Sequence, residues 1–201
     1  MKVIGLCGGS GSGKGAVCSI FREKGILTID TDLVYRDLTG RPGQLIDALK
    51  HEFGSGIITE GGVLDRRALA DIVFSSENSG EKLKRLNQIA HKFILDETRA
   101  ILKWYSADGA ELGVVDAPVL FESGFDSECD LIVCVIADKE RRISRIMTRD
   151  SISRDEAERR IASQMSDNEL ISRSDFVIYN DGDLGSLGQQ VDELIEKIKK
   201  K

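Results

Sequence analysis

One glycine-rich octet constrains this chain more than any other part of its sequence. Residues 8–15 read Gly-Gly-Ser-Gly-Ser-Gly-Lys-Gly and contain the pattern Gly-x-x-x-x-Gly-Lys of a phosphate-binding loop. An apolar run at residues 3–7 precedes the octet, and a helix-like stretch follows at residues 14–24. Glycines can adopt positive φ, so successive backbone N–H groups can turn inward around a phosphate, and the Lys14 ammonium and the helix dipole add positive field there. The octet is therefore predicted to bind a nucleotide.

Residue 15 is the one departure from this loop pattern. Gly15 stands where the motif has Ser or Thr, whose hydroxyl ligates Mg²⁺. Because the loop amides and Lys14 hold phosphates without that hydroxyl, we expect nucleotide binding to persist and magnesium handling to be weaker. The predicted nucleotide-binding residues of the loop are Gly9, Ser10, Gly11, Ser12, Gly13, Lys14, Gly15 and Ala16.

Five short apolar runs predict the strands of a single sheet. They lie at residues 3–7, 26–29, 113–115, 131–137 and 176–179. The runs are continuously apolar, which is typical of strands covered on both faces, and helix-like segments separate them. This repeated βαβ pattern predicts an α/β fold with a parallel sheet and helices on both faces. Two capping boxes are also predicted, Ser153 with Glu156 opening a helix that ends at Met165, and Ser186 with Gln189 opening the last helix.

Composition narrows the classes of protein to which the chain can belong. A net charge of -6 and a pI near 5.1 count against a nucleic-acid partner, because such proteins usually carry a basic face. The apolar start breaks at Gly8, and no run approaches the ~20 apolar residues of a membrane span. We therefore expect a cytoplasmic protein without a membrane partner, as a monomer or small homo-oligomer.

Aspartates follow two of the predicted strands, at the edge where parallel sheets bind their ligands. After the second strand comes Asp30-Thr31-Asp32, where a carboxylate can accept or orient the proton of an acceptor hydroxyl and help to hold Mg²⁺. Helix capping is the alternative, and two aspartates allow both roles. The third strand ends in Asp116, which can reach Mg²⁺ directly or through water.

Arginines recur along one predicted helix and the segment that follows it. Arg142, Arg145 and Arg149 are spaced i, i+3 and i+7 and so share one helix face, and three more arginines follow a polar break at residues 151–153. Such a pair of helices resembles the closing lid of a nucleotide kinase, where guanidinium groups neutralise phosphates. The alternative is a solvated charged face. Arg145 and Arg149, nearest the hinge, are the predicted lid arginines.

Taken in order, blocks along nearly the whole chain resemble the dephospho-coenzyme A kinase family. They are the loop at residues 8–14, Ile29-Asp30-Thr31-Asp32, Gly62-Val63-Leu64-Asp65-Arg66, Leu86-Asn87-Gln88-Ile89-Ala90-His91, Asp116-Ala117-Pro118-Val119-Leu120-Phe121-Glu122, Arg160-Ile161-Ala162-Ser163-Gln164 and Asp175-Phe176-Val177-Ile178-Tyr179-Asn180-Asp181-Gly182. Phosphate loops are widespread, but this succession of blocks is specific. The chain departs from the family at Gly15-Ala16, usually Ser-Thr, and at Lys92, usually proline.

The resemblance implies a P-loop kinase fold with a five-stranded parallel sheet in a single domain. The core is expected at about 1–31, 113–139 and 167–201, a helical acceptor-binding insertion at about 32–112 and a lid at about 140–166. The implied reaction transfers the γ-phosphoryl group of ATP, with Mg²⁺, to the ribose 3′-hydroxyl of dephospho-coenzyme A. Two alternatives stay open: another nucleoside or nucleotide kinase of this fold, and a nucleotide-binding homologue with reduced catalysis because of Gly15.

The resemblance also implies roles for individual residues. Asp32 matches the family's base and Arg149 its lid arginine, and with Lys14 they form the predicted catalytic set. Asn180 and Gly182 match the adenine-side loop. The remaining assignments are Asp32, Arg66, His91, Pro118, Leu120 and Glu122 for the acceptor, Arg145 and Arg149 for the nucleotide, and Asp32 and Asp116 for the metal.

Overall fold

Five short strands form one sheet in the computed structural model, which describes residues 1–74 and 78–200. They are β1 (Lys2–Cys7), β2 (Leu27–Asp30), β3 (Leu112–Asp116), β4 (Leu131–Ile136) and β5 (Phe176–Tyr179). Their spatial order is β2-β3-β1-β4-β5, with β1 parallel to both β3 and β4, and β4 parallel to β5. The predicted five-stranded parallel sheet is confirmed, and each predicted strand end lies within about one residue of the observed one.

Both faces of β1 are covered, which explains why its sequence is apolar without alternation. Ile4 and Leu6 are fully buried in a core shared with the helices α1 (Lys14–Glu23) and α9 (Leu184–Lys199). Gly5 faces the other side of the sheet, where a Cβ atom would lie 2.8 Å from Cys129 Sγ and 2.9 Å from a Leu120 methyl carbon. Glycine is therefore required at this position for close packing.

The remaining helices divide between two compact units of the chain. They are α2 (Thr31–Thr39), α3 (Gln44–Phe53), α4 (Arg66–Phe74), α5 (Ser79–Ala107), α6 (Lys139–Asp150), α7 (Arg154–Ala162) and α8 (Asp167–Ser172), with short 3-10 turns at Ser55–Ile57 and Phe125–Glu128.

One unit comprises Met1–Ile29 and the chain from Tyr105 onward, and it carries the sheet; the other, Asp30–Trp104, has its own core around Leu45, Leu49 and Ile57. The predicted division into core, insertion and lid stays a prediction. No helix among the described residues is long and apolar enough to cross a membrane.

The capping box predicted at the start of α7 is confirmed. The Ser153 side chain accepts the Glu156 N–H, and the Glu156 carboxylate accepts the Ser153 N–H at 2.9 Å. The helix ends at Ala162, however, and not at Met165 as predicted. The chain turns at Ser163, where the Gln164 N–H bonds the Ile161 carbonyl at 3.2 Å in a tighter, 3-10-like turn.

The second predicted capping box was wrong. The last helix begins at Leu184 because Asp183 lies at its N-cap and accepts the Ser186 N–H at 2.8 Å. Ser186 is thus the third residue of the helix, and its hydroxyl donates back to the Asp183 carbonyl at 2.9 Å. Aspartate is as good an N-cap as serine, so the cap formed three residues earlier than predicted.

Two leucines of α9 provide a matched test of the packing against the sheet. Leu187 is 1% exposed and Leu184 is 72% exposed. We expect Leu187→Ala to lower the free energy of unfolding by about 2–5 kcal/mol, because it leaves a cavity in the core. Leu184→Ala should change it by less than about 0.5 kcal/mol. Urea denaturation followed by circular dichroism measures both, and equal effects would contradict the packing described.

Candidate nucleotide-binding site

The segment between β1 and α1 forms a tight loop that excludes side chains at several positions. Gly8, Gly11 and Gly13 have φ of 148°, 76° and 96°, which glycine adopts without strain. A Cβ atom at Gly8 would lie 2.5 Å from the Val135 carbonyl oxygen. The predicted phosphate-binding loop is thus formed, directly before α1.

The first turn of α1 lies at the end of this loop. Gly13 occupies the N-cap in the left-handed conformation, and among the described residues no side chain caps the helix. The Ala16 N–H bonds the Gly13 carbonyl at 3.0 Å, and the N–H groups that precede it in the first turn therefore remain for an anion, with the positive end of the helix dipole behind them. Lys14 begins the helix, and its Nζ donates to the Gly8 carbonyl at 2.9 Å, which holds the ammonium beside the loop. This cradle fits a phosphate group.

Two arginines of α6 bind the outer side of the loop. Arg142 Nε donates to the Ser10 carbonyl at 2.9 Å, and Arg145 Nη1 donates to the Gly11 and Ser12 carbonyls at 3.1 and 3.3 Å. The C=O and N–H groups of a trans peptide unit point in opposite directions. Carbonyls held from outside therefore turn the N–H groups that follow Ser10 and Ser12 toward the inside of the loop.

Arg142 is a site residue that the sequence interpretation missed. It shares the predicted arginine face, yet Arg145 and Arg149 were preferred as nearest the hinge. In the structure Arg142 is only 4% exposed and pairs with Asp167 at 2.7 Å. The spacing of the arginines revealed their common face but not which end of the helix meets the loop.

Arg149 lies at the other end of α6 and binds a carboxylate instead of the loop. Its Nε and Nη2 both contact Asp150 at 2.8 Å, and its side chain is 60% exposed. Arg160 of α7 binds the same carboxylate. The guanidinium of Arg149, followed by that of Arg160, lowers the pKa of Asp150 to about 2. Asp150 therefore stays ionised and holds both arginines.

Asn180 and Gly182 follow β5, as predicted for the adenine-side segment. Asn180 Nδ2 donates to the Ser12 carbonyl at 2.8 Å, and the backbone carbonyl of Asn180 accepts a hydrogen bond from Arg145 Nη2 at 3.1 Å. A Cβ atom at Gly13 would lie 1.9 Å from Asn180 Nδ2, and one at Gly182 would lie 2.2 Å from Ser186 Oγ. Asn180 thus contacts the loop directly, and the adenine role of the segment stays a prediction.

Asp116 is the last residue of β3 and pairs with Leu6 of β1, the strand that precedes the loop. Cys18 Sγ donates to its Oδ2 at 3.6 Å. Burial first, and the Asp116 charge second, raise the pKa of Cys18 to about 12, so the thiol keeps its proton. Among the described residues no group of three or more His, Cys, Asp or Glu side chains could hold a metal ion. Any Mg²⁺ at Asp116 would need water and phosphate oxygens to complete its coordination.

Gly15 lacks the hydroxyl ligand of the motif, although the structure has space for a side chain at this position. A Cβ atom built there would meet nothing within 4 Å. A serine side chain at this position of α1 therefore has room without any repacking.

The block after β3 contains both buried and exposed residues. Leu120 is 1% exposed and packs at Gly5, whereas Pro118 and Glu122 are exposed. Arg173 stacks on Phe121 with its guanidinium carbon 3.9 Å from the ring centroid, which holds this block from the side of α8. The predicted acceptor contacts of Pro118, Leu120 and Glu122 stay predictions.

The two aspartates after β2 differ in role within the helical unit. Asp30 is the N-cap of α2, and its Oδ1 accepts the N–H groups of Asp32 and Leu33 at 2.9 and 3.1 Å. Asp32 is an exposed side chain in the first turn of the helix. Capping, the alternative considered from sequence, therefore occupies Asp30.

The helical unit also holds Arg66 and His91. Arg66 Nη2 donates to Thr39 Oγ1 at 3.0 Å, and its guanidinium carbon lies 5.6 Å from the centroid of the Tyr35 ring. His91 is half-buried on the long helix α5. The predicted acceptor contacts of these residues stay predictions.

The sequence of this chain is similar to those of one known family. A family model described as dephospho-CoA kinase matches residues 2–186. Dephospho-CoA kinase from Corynebacterium glutamicum is 38% identical over 199 residues, 98% of each chain. The enzyme of that name from Fusobacterium nucleatum is 37% identical over 198 residues, which cover 98% of this chain and 99% of the relative.

Solved structures share the fold of this chain. A Thermus thermophilus protein superposes with a TM-score of 0.79 at 31% identity, covering 98% of this chain and 97% of that one. Dephospho-CoA kinase from Campylobacter jejuni gives a TM-score of 0.71 at 24% identity, with 100% and 98% coverage. Shikimate kinase from Acinetobacter baumannii gives 0.58 at 16% identity, with 100% and 96% coverage. At these identities the last two establish the fold alone, which is the predicted P-loop kinase fold.

Gly13 and Gly15 provide a matched test of the loop. We expect Gly13→Ala to weaken ADP binding by about tenfold or more, because a left-handed φ costs an L-residue about 1–2 kcal/mol and the methyl group meets Asn180. Gly15→Ala should bind ADP like the unaltered protein, because its methyl group enters open space. Isothermal titration calorimetry measures both, and equal affinities would contradict this account of the loop.

Proposed function

The chain belongs to the dephospho-CoA kinase family, and we infer from this that it phosphorylates dephospho-CoA to give CoA. We propose that ATP is the donor, that the ribose 3′-hydroxyl is the acceptor and that Mg²⁺ is the required ion. The observation that carries the proposal is the glycine loop, whose carbonyl groups are bound from outside by Arg142, Arg145 and Asn180. Its inward N–H groups suit a triphosphate.

The loop and Lys14 bind the donor phosphates in this proposal. Lys14 leaves the Gly8 carbonyl for the β- and γ-phosphate oxygens, and the N–H groups of the first turn of α1 bind the adjoining oxygens. Phosphoryl transfer requires mainly positioning and charge neutralisation. A preorganised set of fixed dipoles supplies both without reorganisation during the reaction.

Asp32 receives or orients the proton of the acceptor hydroxyl. The hydroxyl loses this proton as the new phosphate ester forms, and a nearby carboxylate can accept it. The support for Asp32 over Asp30 is local: Asp30 is engaged as the cap of α2, whereas Asp32 is exposed and is no cap.

Asp32 and Asp116 would hold the magnesium, Asp116 directly or through water. When bound there, Mg²⁺ would supply positive charge against the phosphate oxygens. Gly15 contributes no oxygen ligand, so water takes the position that a serine hydroxyl fills elsewhere; Mg²⁺ commonly keeps several waters.

Arg149 leaves the Asp150 carboxylate and binds the transferred phosphoryl group, whose negative charge it neutralises. Its bidentate bonds to Asp150 show how the guanidinium fork binds paired oxygens, and a phosphate presents the same arrangement. Arg160 shares Asp150 and can hold that carboxylate when Arg149 leaves it.

The proposed function is tested by the choice of acceptor. Turnover is followed by ADP release with Mg²⁺ and ATP, with dephospho-CoA, AMP, CMP or no acceptor present. We expect dephospho-CoA to accelerate ADP release well above the rate with ATP alone, and nuclear magnetic resonance of the product to show the 3′-phosphate. Preference for another nucleotide would favour a different kinase of this fold, and ADP binding without turnover would favour a homologue with lost catalysis.

Asp32 and Asp30 provide a matched pair of substitutions. We expect Asp32→Asn to lower kcat by ~10²–10⁴-fold, the usual contribution of a positioned general base, with little change in ADP affinity. Asp30→Asn should have a much smaller effect, because asparagine also caps helices well. Steady-state kinetics measures both, and a larger loss at Asp30 would reverse the assignment.

Gly15→Ser tests the missing magnesium ligand. The substitution restores a hydroxyl in the first turn of α1, where there is room and where serine is the better helix former. We expect half-maximal turnover at a lower Mg²⁺ concentration than in the unaltered protein, at fixed ATP. Gly15→Ala is the control, since it adds a methyl group and no oxygen. Identical magnesium titrations for all three proteins would mean that water fully replaces the hydroxyl.

A further inference from the structure

We propose that Gln164, together with the Arg142–Asp167 ion pair, positions the phosphate-binding loop from outside and thereby sets its affinity for the nucleotide. These are positioning residues, because they act on the loop backbone and not on the reacting atoms. The proposal rests on the proposed function in one respect: it assumes that the loop binds the phosphates of a nucleotide.

Three atoms of a single loop residue are bound by this group. Gln164 Oε1 accepts the Ser10 N–H at 2.9 Å, and Gln164 Nε2 donates to Ser10 Oγ at 3.1 Å. Arg142 Nε donates to the Ser10 carbonyl at 2.9 Å. Both peptide units of Ser10 are thus fixed, and the second of them carries an N–H group that faces into the loop.

The ion pair holds Arg142 in its place under the loop. Arg142 Nη1 binds Asp167 Oδ1 at 2.7 Å, with the two side chains 5% and 37% exposed. A buried guanidinium needs such a partner, because an unpaired charge in this position would be costly. Asp167 lies in the first turn of α8, whose cap Ser166 accepts the Glu169 N–H at 3.2 Å, so the carboxylate projects from a fixed backbone.

Gly9 supplies independent support for the inference. Unlike Gly8 and Gly11, it does not have a φ in the left-handed range, so backbone conformation does not require glycine there. A Cβ atom at this position would lie 2.2 Å from Arg142 Nη2 and 3.3 Å from Gln164 Oε1. The Arg142 guanidinium thus occupies the space of a side chain at residue 9, with Gln164 close beside it. A larger residue there would displace the guanidinium that binds Ser10.

The effect on binding follows from preorganisation. When phosphates bind, a loop that is already held in its binding conformation loses less conformational freedom, so ordering it costs less free energy. Gln164 lies in the turn between α7 and α8, residues 163–166, and Asp167 is the first residue of α8. This short stretch is therefore linked to the loop directly through Gln164 and indirectly through Arg142. Loss of these contacts should weaken nucleotide binding more than it lowers the stability of the fold.

Gln164→Ala is the deciding variant, because it removes two bonds without leaving a buried charge. We expect the ADP Kd to rise about tenfold, the effect of one to two net hydrogen bonds, with a similar rise in KM for ATP. The KM for dephospho-CoA should stay unchanged. The control is Gln189→Ala, another exposed glutamine of the same unit, whose amide contacts Glu193 at 3.4 Å and not the loop. It should leave both constants unchanged.

Asp167→Asn tests the ion pair, with Asp192→Asn as its control at the Lys24–Asp192 pair. Asp167→Asn should raise the ADP Kd about tenfold or more, and Asp192→Asn should not change it. Thermal denaturation accompanies each variant, and if Asp167→Asn fails to fold, the Gln164→Ala comparison decides. An ADP Kd for Gln164→Ala equal to that of the unaltered protein overturns the inference.

Failure of the proposed function gives a different result from failure of this inference. If the unaltered protein binds ADP but does not phosphorylate dephospho-CoA, the proposed function is contradicted, and the Kd comparison still decides the role of Gln164. If the unaltered protein does not bind ADP, both are overturned.

Discussion

The orientation of the peptide groups in the loop before α1 is the constraint on which the site depends. A loop of six residues cannot bury its carbonyl groups and still direct N–H groups inward unless groups outside the loop donate hydrogen bonds to the carbonyl oxygens. Arg142, Arg145 and Asn180 provide those donors from two different segments of the chain. The glycines make the conformation possible, and the surrounding donors make it stable. Cationic side chains on the outside also leave the interior more favourable to an anion.

The fold was largely predictable from sequence because its signals are local. Short apolar runs, separated by helix-like segments, identify strands that are buried on both faces, and the strand ends came out within about one residue. The failure at the last helix has an equally local cause. Asp183 and Ser186 are both good caps, and sequence offers no rule for choosing between two competent caps three residues apart.

The site was predictable only in part, because its support comes from residues distant in sequence. The sequence predicts the loop and Asn180, but it does not single out Arg142, and Gln164 enters only within the block at residues 160–164. Their roles depend on contacts with Ser10, 132 and 154 residues away along the chain. A periodic pattern of arginines shows which residues share a helix face. It does not show how that helix lies against a loop formed by a different part of the chain.

The position of β1 at the centre of the sheet has a consequence for local unfolding. β1 is bonded on one side to β3 and on the other to β4, so it can open only if a neighbour is released as well. We expect amide hydrogens of its buried residues to exchange with solvent only through global unfolding, and those of the turn at residues 163–166 to exchange through local opening. The nucleotide loop therefore follows the central strand at one end and is bound at Ser10 by a turn that we expect to open more easily. The strand and the turn that support this loop should therefore open at different free energies.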